Sequence, residues 1–261
     1  RERYSPRNDT SGSMLTDLKL LAKNSQWRIV FVFNILLLTA VVTRGSATMY
    51  YVNYVLLRPE LVFAFIVSGM VASLSGALLS ERLLGKFDRV RAYQWTIMTF
   101  VIFGALIFFI PPSQVWLIFG LNIVFSFIQN LTTPLQWTMF SDVVDYEEHR
   151  SGRRLDGLVF STALFAIKFG LALGGAVVGW VLGIVDYAPG QVTQAPHVLS
   201  TINALFTLIP CVLFLCMVAL LSIYKLNSRL VDSIARELAG KRDVRPDAGK
   251  LSPATHSAIQ E

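Results

Sequence analysis

The chain has 261 residues, 54% of them hydrophobic, 12% aromatic and 15% charged, with a net charge of +6 and a mean hydropathy of +0.55. That is too apolar for a soluble domain of this length and marks an integral membrane protein. The apolar runs lack the ten-residue dyad alternation of an outer-membrane barrel, so the expected fold is an all-α membrane protein with its transmembrane helices in one bundle.

Residues 1–26 are expected to be a cytoplasmic linker. Its first 13 residues are polar and expected to be mobile, whereas Met14, Leu15, Leu18 and Leu21 recur at helical spacing around Asp17, Lys19 and Lys23, as in a short interfacial helix. The first apolar run is too long, and begins too late, to be a cleavable signal. The chain starts with Arg1 and not Met, which suggests a fragment or a processed piece.

Six stretches reach the length of roughly 18 residues or more that a spanning helix needs. The first is Trp27 to Val55, with Arg44 about 22 Å along the helix from Ile29 at a rise of ~1.5 Å per residue, and therefore inside the membrane. The second, Leu61 to Ser80, is lined by Ser68, Gly69, Ala72, Ser73, Gly76 and Ser80, a series of small residues that favours close helix packing. Arg82, Lys86, Arg89 and Arg91 crowd the loop before the third span, Tyr93 to Ile110.

The fourth span, Val115 to Phe140, is the most polar: Asn122, Gln129, Asn130, Thr132, Thr133 and Gln136 lead through Pro134 to Trp137. Proline permits a kink, and amide and hydroxyl side chains are what a sugar's hydroxyls would need, although singly they serve equally well as interhelical hydrogen bonds. A charged loop follows, SDVVDYEEHRSGRRLDG from Ser141 to Gly157. The fifth span, Leu158 to Val185, then carries Lys168 roughly 15 Å deep, near the middle of a ~30 Å hydrocarbon layer. It also holds two overlapping small-residue series through Gly170, Gly174, Gly175, Gly179 and Gly183. The sixth runs from Thr201 to Tyr224 and contains both cysteines, Cys211 and Cys216, five apart and so not on one helix face. Residues 225–261 are expected to be a cytoplasmic tail. Leu226, Leu230, Val231, Ile234 and Leu238 form a second amphipathic helix stopped by Gly240, and disorder is expected from Lys241 onward.

Of 23 lysines and arginines, 20 lie in the two terminal segments, counting Arg28 at the very start of the first span, and in the loops at 81–92 and 141–157, all on one side of a six-span bundle. The positive-inside rule makes that side cytoplasmic, with both termini on it. The charge thus describes a membrane-facing surface, and no nucleic-acid partner is expected. The three histidines, His149, His197 and His256, make no metal cluster with the cysteines, and no disulfide framework is evident. Neither a G-x-x-x-x-G-K-[ST] nucleotide loop nor a G-x-S-x-G elbow occurs, so ATP-driven pumping and serine hydrolysis lack their parts. Arg44 and Lys168 are the cations inside the spans, which contain no acid, so the expectation is that their partners come from elsewhere and that the chain is half of a site.

The stretch PLQWTMFSDVVDYEEHRSGRRLDGLVFSTALFAIKFGLALGGAVVGWVLG resembles the carboxyl-terminal half of the glycoside-pentoside-hexuronide:cation symporters, the melibiose-permease branch of the major facilitator superfamily. The D-x-x-D-Y pattern at Asp142, Asp145 and Tyr146, the following Glu148, the R-x-[DE]-G pattern of Arg154, Asp156 and Gly157, and the lysine of the next span carry the resemblance, which extends from about Trp27 to Tyr224. Two departures stand out: Glu147 occupies a position where glycine is common, and Gly85-Lys86-Phe87-Asp88-Arg89 only approximates the superfamily's G-x-x-x-D-R loop.

The resemblance implies a twelve-helix transporter of two six-helix bundles, with a sugar site between them and Na⁺ or H⁺ coupled through acids of the amino-terminal bundle. It implies that Lys168 faces the sugar and cation cavity, that Thr133, Gln136 and Trp137 belong to the sugar-facing stretch, and that Asp142, Asp145, Arg154 and Asp156 form a cytoplasmic gate. Gln129 and Arg44 join the expected cavity set on their polarity within the spans. The reading is then a secondary active sugar:cation symporter of the plasma (inner) membrane, working by alternating access, this chain being its carboxyl-terminal half. No covalent chemistry is expected, and no cofactor beyond the coupling cation, bound mainly by the amino-terminal half. The expected partners are a small sugar, that cation, the lipid bilayer and the amino-terminal half. Rival readings are a carrier of lipids or other amphiphiles, an integral membrane enzyme, and a non-transporting scaffold or truncated product.

Overall fold

The computed structural model describes residues 14–84, 87–191 and 193–243. In chain order its helices are α1 (Met14–Ala22), α2 (Ser25–Tyr50), α3 (Val62–Leu84), α4 (Arg89–Phe109), α5 (Val115–Leu131), α6 (Thr133–Ser151), α7 (Asp156–Ile184), α8 (Pro196–Phe206), α9 (Leu208–Ser222) and α10 (Ser228–Asp243). Together they give six candidate spans, Ser25–Val55, Pro59–Leu83, Arg89–Phe109, Val115–Ser151, Asp156–Ile184 and Pro196–Ser222, each long and apolar enough to cross a membrane. This is a multi-pass, all-helical membrane protein.

Local chemistry sets where the helices start and break. Asn24 caps α2, its Oδ1 accepting from the backbone N–H groups of Gln26 and Trp27 at 2.9 and 3.2 Å. Asp88 does the same for α4 through the N–H of Arg91 at 3.2 Å. Two spans are interrupted, the fourth at Thr132 just before Pro134, and the sixth at Thr207 three residues before Pro210. Proline has no N–H to continue the ladder, so the breaks fall where the sequence puts that residue.

α2 is the hub, packing along α7 on one side and α8 and α9 on another, while α3 pairs with α5 and α4 with α9. The α2–α7 seam depends on glycine: a Cβ on Gly170 would lie 2.8 Å from the Ile35 carbonyl oxygen, and one on Gly174 would lie 2.7 Å from Val42 Cβ. Thr39 and Thr43 of α2 reach the exposed carbonyls of those same glycines at 3.4 and 3.3 Å. Gly76 plays the equivalent part between α3 and α5, where a Cβ would fall 2.1 Å from the Phe127 carbonyl oxygen. The apolar interior forms two clusters, one near the α1 and α10 end around Phe33, Tyr93, Phe100, Phe125, Phe140 and Phe214, the other at the opposite end around Tyr51, Phe65, Ile118 and Phe206.

Two expectations change. The charged stretch from Ser141 is not a loop, because α6 carries on to Ser151 and leaves only Gly152 to Leu155 as the connection. Val143, Val144 and Glu147 recur at helical spacing and are buried, which holds the extension against the bundle, and Gly152 at φ 69° ends it with its N–H on the Glu148 carbonyl at 2.8 Å. The terminal helix continues past Gly240 to Asp243, the last residue described. Both short helices also touch the bundle: α1 buries Leu21 while leaving Leu15 and Leu18 exposed, and α10 packs on α6 with Val231, Ile234 and Leu238 buried. The polar stretch 1–13 and the tail beyond 243 lie outside the described residues.

Candidate functional site

Lys168 sits on the face of α7 turned away from α2. With the helical repeat of 3.6 residues it shares that face with Ala172, Gly175, Gly179 and Gly183, all of them exposed. A Cβ on any of the three glycines would meet nothing within 4 Å. The overlapping glycine series thus separate into two faces of one helix, with Gly170 and Gly174 closed against α2 and Gly175, Gly179 and Gly183 open. Lys168 makes no hydrogen bond or ion pair with the described residues. The ammonium thus lies on an exposed strip of small residues, a surface on which another helix could approach closely.

On α6, Thr133 and Trp137 are one turn apart on a common face; Thr133 is half-buried and Trp137 is 44% exposed. The Trp137 ring leans on Phe140, and Phe140 on Phe160 of α7, at centroid separations of 6.0 and 6.5 Å, an aromatic line from α6 to the helix that carries Lys168. Thr133 Oγ1 lies 3.4 Å from Asn130 Oδ1, and Gln129 is half-buried just before the break. Gln136 and Arg44 are placed differently, inside the bundle. Gln136 is 9% exposed and gives its amide N–H to Asn34 Oδ1 of α2. Arg44 is 6% exposed and donates to the Phe206 carbonyl at 2.8 Å and to Asn122 Oδ1 at 3.1 Å. Its guanidinium therefore has neutral acceptors within this chain and does not await an acid. The expectation missed this because carbonyls freed by a helix break cannot be counted among side chains.

At the α1 and α10 end the gate residues form two groups, not one. Arg154 holds Asp156 at 2.6 Å, Glu148 at 2.8 Å and Asp145 at 3.3 Å. Partial burial alone would lower its pKa, but these carboxylates hold the guanidinium above its ordinary value. Asp142 is buried on the other side of α6 and pairs with Arg89, whose Nη1 lies 3.0 and 3.3 Å from the two carboxylate oxygens. Sequence reasoning left Arg89 aside because its loop only approximates the superfamily pattern, yet it is the cation that neutralises Asp142. Glu147, read as a mere departure, is 0% exposed and accepts from Asn24 Nδ2 at 2.7 Å and from Arg150 at 3.3 Å. It joins α6 to the cap of α2. The signal for it was present in its spacing, since Val143, Val144 and Glu147 share the buried side of one helix.

Among the described residues no group of three or more histidine, cysteine or carboxylate side chains is arranged to hold a metal ion. What the geometry provides is an unsealed face with one deep cation, an aromatic and hydroxyl neighbour on α6, and paired charges below. Residues 1–228 match the family described as MFS/sugar transport protein. The chain belongs to that family. That is a family of transporters and not of enzymes. The chain is 50% identical over 248 residues to a putative glycoside/cation symporter, YagG, of Escherichia coli K12, which covers 95% of this chain and 54% of that protein. It is 36% identical over 235 residues to the inner membrane symporter YicJ of the same organism, covering 89% of this chain and 51% of the relative. The chain thus spans about half the length of the curated relatives it matches, and its similarity is to the carboxyl-terminal half of the glycoside-pentoside-hexuronide:cation symporters.

Proposed function

We propose that this chain is the carboxyl-terminal bundle of a secondary active sugar:cation symporter, working by alternating access against a six-helix amino-terminal bundle. The substrate class is a glycoside, pentoside or hexuronide, and the coupling ion is Na⁺ or H⁺ held mainly by acids of the opposite bundle. Lys168, Trp137, Thr133 and Gln129 line this half of the cavity, with Lys168 paired across the interface to one of those acids. The end carrying α1 and α10 is cytoplasmic and the membrane is the plasma (inner) membrane, in keeping with 20 of 23 lysines and arginines on that side. There Asp142, Asp145, Arg154 and Asp156, together with Arg89, close the inner gate.

The observation that carries this reading is Lys168 on the open, glycine-lined face of α7, a buried-depth cation that this bundle does not satisfy. The test is Lys168→Met in the full-length carrier. Removing one member of a buried pair strands the other at a cost of roughly 3–5 kcal/mol, so coupled accumulation of radiolabelled methyl glycosides, pentoses and glucuronides into vesicles is expected to disappear at normal surface expression. Lys168→Arg is not expected to rescue it, since the guanidinium is larger and keeps its proton. A Met variant that reaches the membrane and accumulates sugar normally would make Lys168 structural.

A further inference from the structure

A guanidinium in the middle of a membrane bundle needs acceptors for its N–H groups. Arg44 finds one at the break in the sixth span. The helical ladder is intact on both sides of Thr207, whose N–H donates to the Asn203 carbonyl at 3.0 Å and whose carbonyl accepts from Cys211 N–H at 3.2 Å. The Phe206 carbonyl is the group that falls in the gap, because its helical partner would be the N–H of the residue four further on, and that residue is Pro210. Arg44 Nη1 donates to this carbonyl at 2.8 Å.

The same side chain reaches two other elements. Its Nη2 donates to Asn122 Oδ1 of α5 at 3.1 Å, and its planar head lies 3.9 Å from the ring centroids of both Phe125 and Phe206. Phe125 belongs to the apolar cluster near the α1 and α10 end and Phe206 to the cluster at the opposite end. The guanidinium therefore occupies the seam between the two halves of the interior. A planar, multiply donating cation stacks between rings while bonding in its own plane, which a lysine ammonium cannot do.

We propose that Arg44 replaces the amide hydrogen that Pro210 lacks, pinning the α8–α9 break to α2 and α5 so that three spans move as one body. In this role it is a positioning residue and touches neither sugar nor coupling ion. The proposal predicts a specific rescue: alanine at position 210 supplies an N–H for the Phe206 carbonyl and makes Arg44 dispensable there.

The experiment compares Arg44→Met, Arg44→Lys, Pro210→Ala and the double variant Arg44→Met/Pro210→Ala in the full-length carrier. The readouts are the melting temperature of the purified protein, which is independent of the transport reading, and vesicle uptake of radiolabelled methyl glycosides, pentoses and glucuronides. Arg44→Met is expected to lower Tm by more than about 5 °C, a shift well outside what one surface substitution gives a membrane bundle of this size, and to cut uptake at least tenfold. Arg44→Lys is expected to recover less than half of either loss. The double variant is expected to regain at least half of the lost Tm and to bring uptake within threefold of Pro210→Ala alone. Should Arg44→Met fail to reach the membrane, a folded double variant supports the proposal and an unfolded one overturns it. A double variant no more stable than Arg44→Met overturns it, as does a restored Tm with uptake still abolished, which would make Arg44 a ligand.

Discussion

Asp145 and Asp142 are one turn apart in sequence but are held by different cations. Arg154 already has Asp156 and Glu148 at 2.6 and 2.8 Å, closer than Asp145 at 3.3 Å, and the group is half in solvent. Exposed ion pairs contribute ~0–1 kcal/mol, so Asp145 alone adds little to the stability of the bundle. Asp142 is 6% exposed and Arg89 is its bonded cation. Arg89 is itself about a third exposed, but its removal strands the buried Asp142 carboxylate, which costs more than losing one member of an exposed pair. Asp145→Lys is therefore expected to slow transport while leaving the melting temperature of the carrier within about 2 °C, whereas Arg89→Ala is expected to lower both. Uptake rate beside thermal unfolding separates the two, and an Asp145→Lys carrier with unchanged transport would leave the Arg154 group as a solvated surface cluster. At this scale Lys168 was legible as a candidate from residue type and depth, and Asp142, Asp145, Arg154 and Asp156 from the family resemblance. Arg89, Glu147 and Asn122 were not, because their partners lie 53, 123 and 78 residues away in the chain and only packing brings them together.

α7 is the element with two kinds of glycine. Gly174 faces α2, where a Cβ would meet Val42 at 2.7 Å and the Thr39 carbonyl at 2.8 Å, and Gly179 faces outward with nothing within 4 Å. A leucine at Gly174 must push α2 and α7 apart and break the hydrogen bond from Thr43 to the Gly174 carbonyl, and overpacking of this kind costs typically ~1–3 kcal/mol. Gly174→Leu is expected to destabilise the six-helix bundle even when it is produced alone. Gly179→Leu is expected to leave the isolated bundle as stable as wild type and to harm only the assembled carrier. Thermal unfolding of this chain by itself, set against uptake by the full-length protein, reads the difference, and equal damage by both substitutions in the isolated chain would mean that the outer strip is packed within the bundle. The small-residue periodicity of α7 was plain in the sequence, and so were its length and its place in the order of spans. Which series was closed and which open was not, because both repeat at the same interval and the choice is made by the partner helix. The end of α6 was misjudged for a related reason: charge suggested loop, while its buried side, Val143, Val144 and Glu147, kept the helix packed past Ser141.

For the molecule as a whole, the described residues satisfy most of the polar groups inside the bundle, with the Tyr93 and Tyr224 hydroxyls and Asn203 Oδ1 as exceptions, and leave Lys168 on an open face. Arg44, Asn34 and Gln136 are bonded internally, both apolar clusters are closed, and α1 and α10 are docked at the same end. Such a bundle has what it needs to insert and fold, since every span is long enough and the polar groups that the bilayer would penalise are mostly turned inward. On the two-bundle reading proposed above, coupling needs an acid that these spans do not carry. Lys168 is a cation, the spans it faces outward from supply no acid at its depth, and a symporter concentrates sugar only if the ion gradient is felt at the same site. Expressed alone in bacterial membranes, this chain is expected to insert with the α1 and α10 ends on the cytoplasmic side, as cysteine labelling from either face would report, and to give no gradient-driven uptake of methyl glycosides, pentoses or glucuronides. Co-expression with a six-span amino-terminal half is expected to restore accumulation, with Lys168→Met abolishing the restored activity and Asp145→Lys slowing it. Accumulation by the chain alone against an imposed Na⁺ or H⁺ gradient would sink the two-bundle reading, because the coupling site would then have to lie wholly within these six spans.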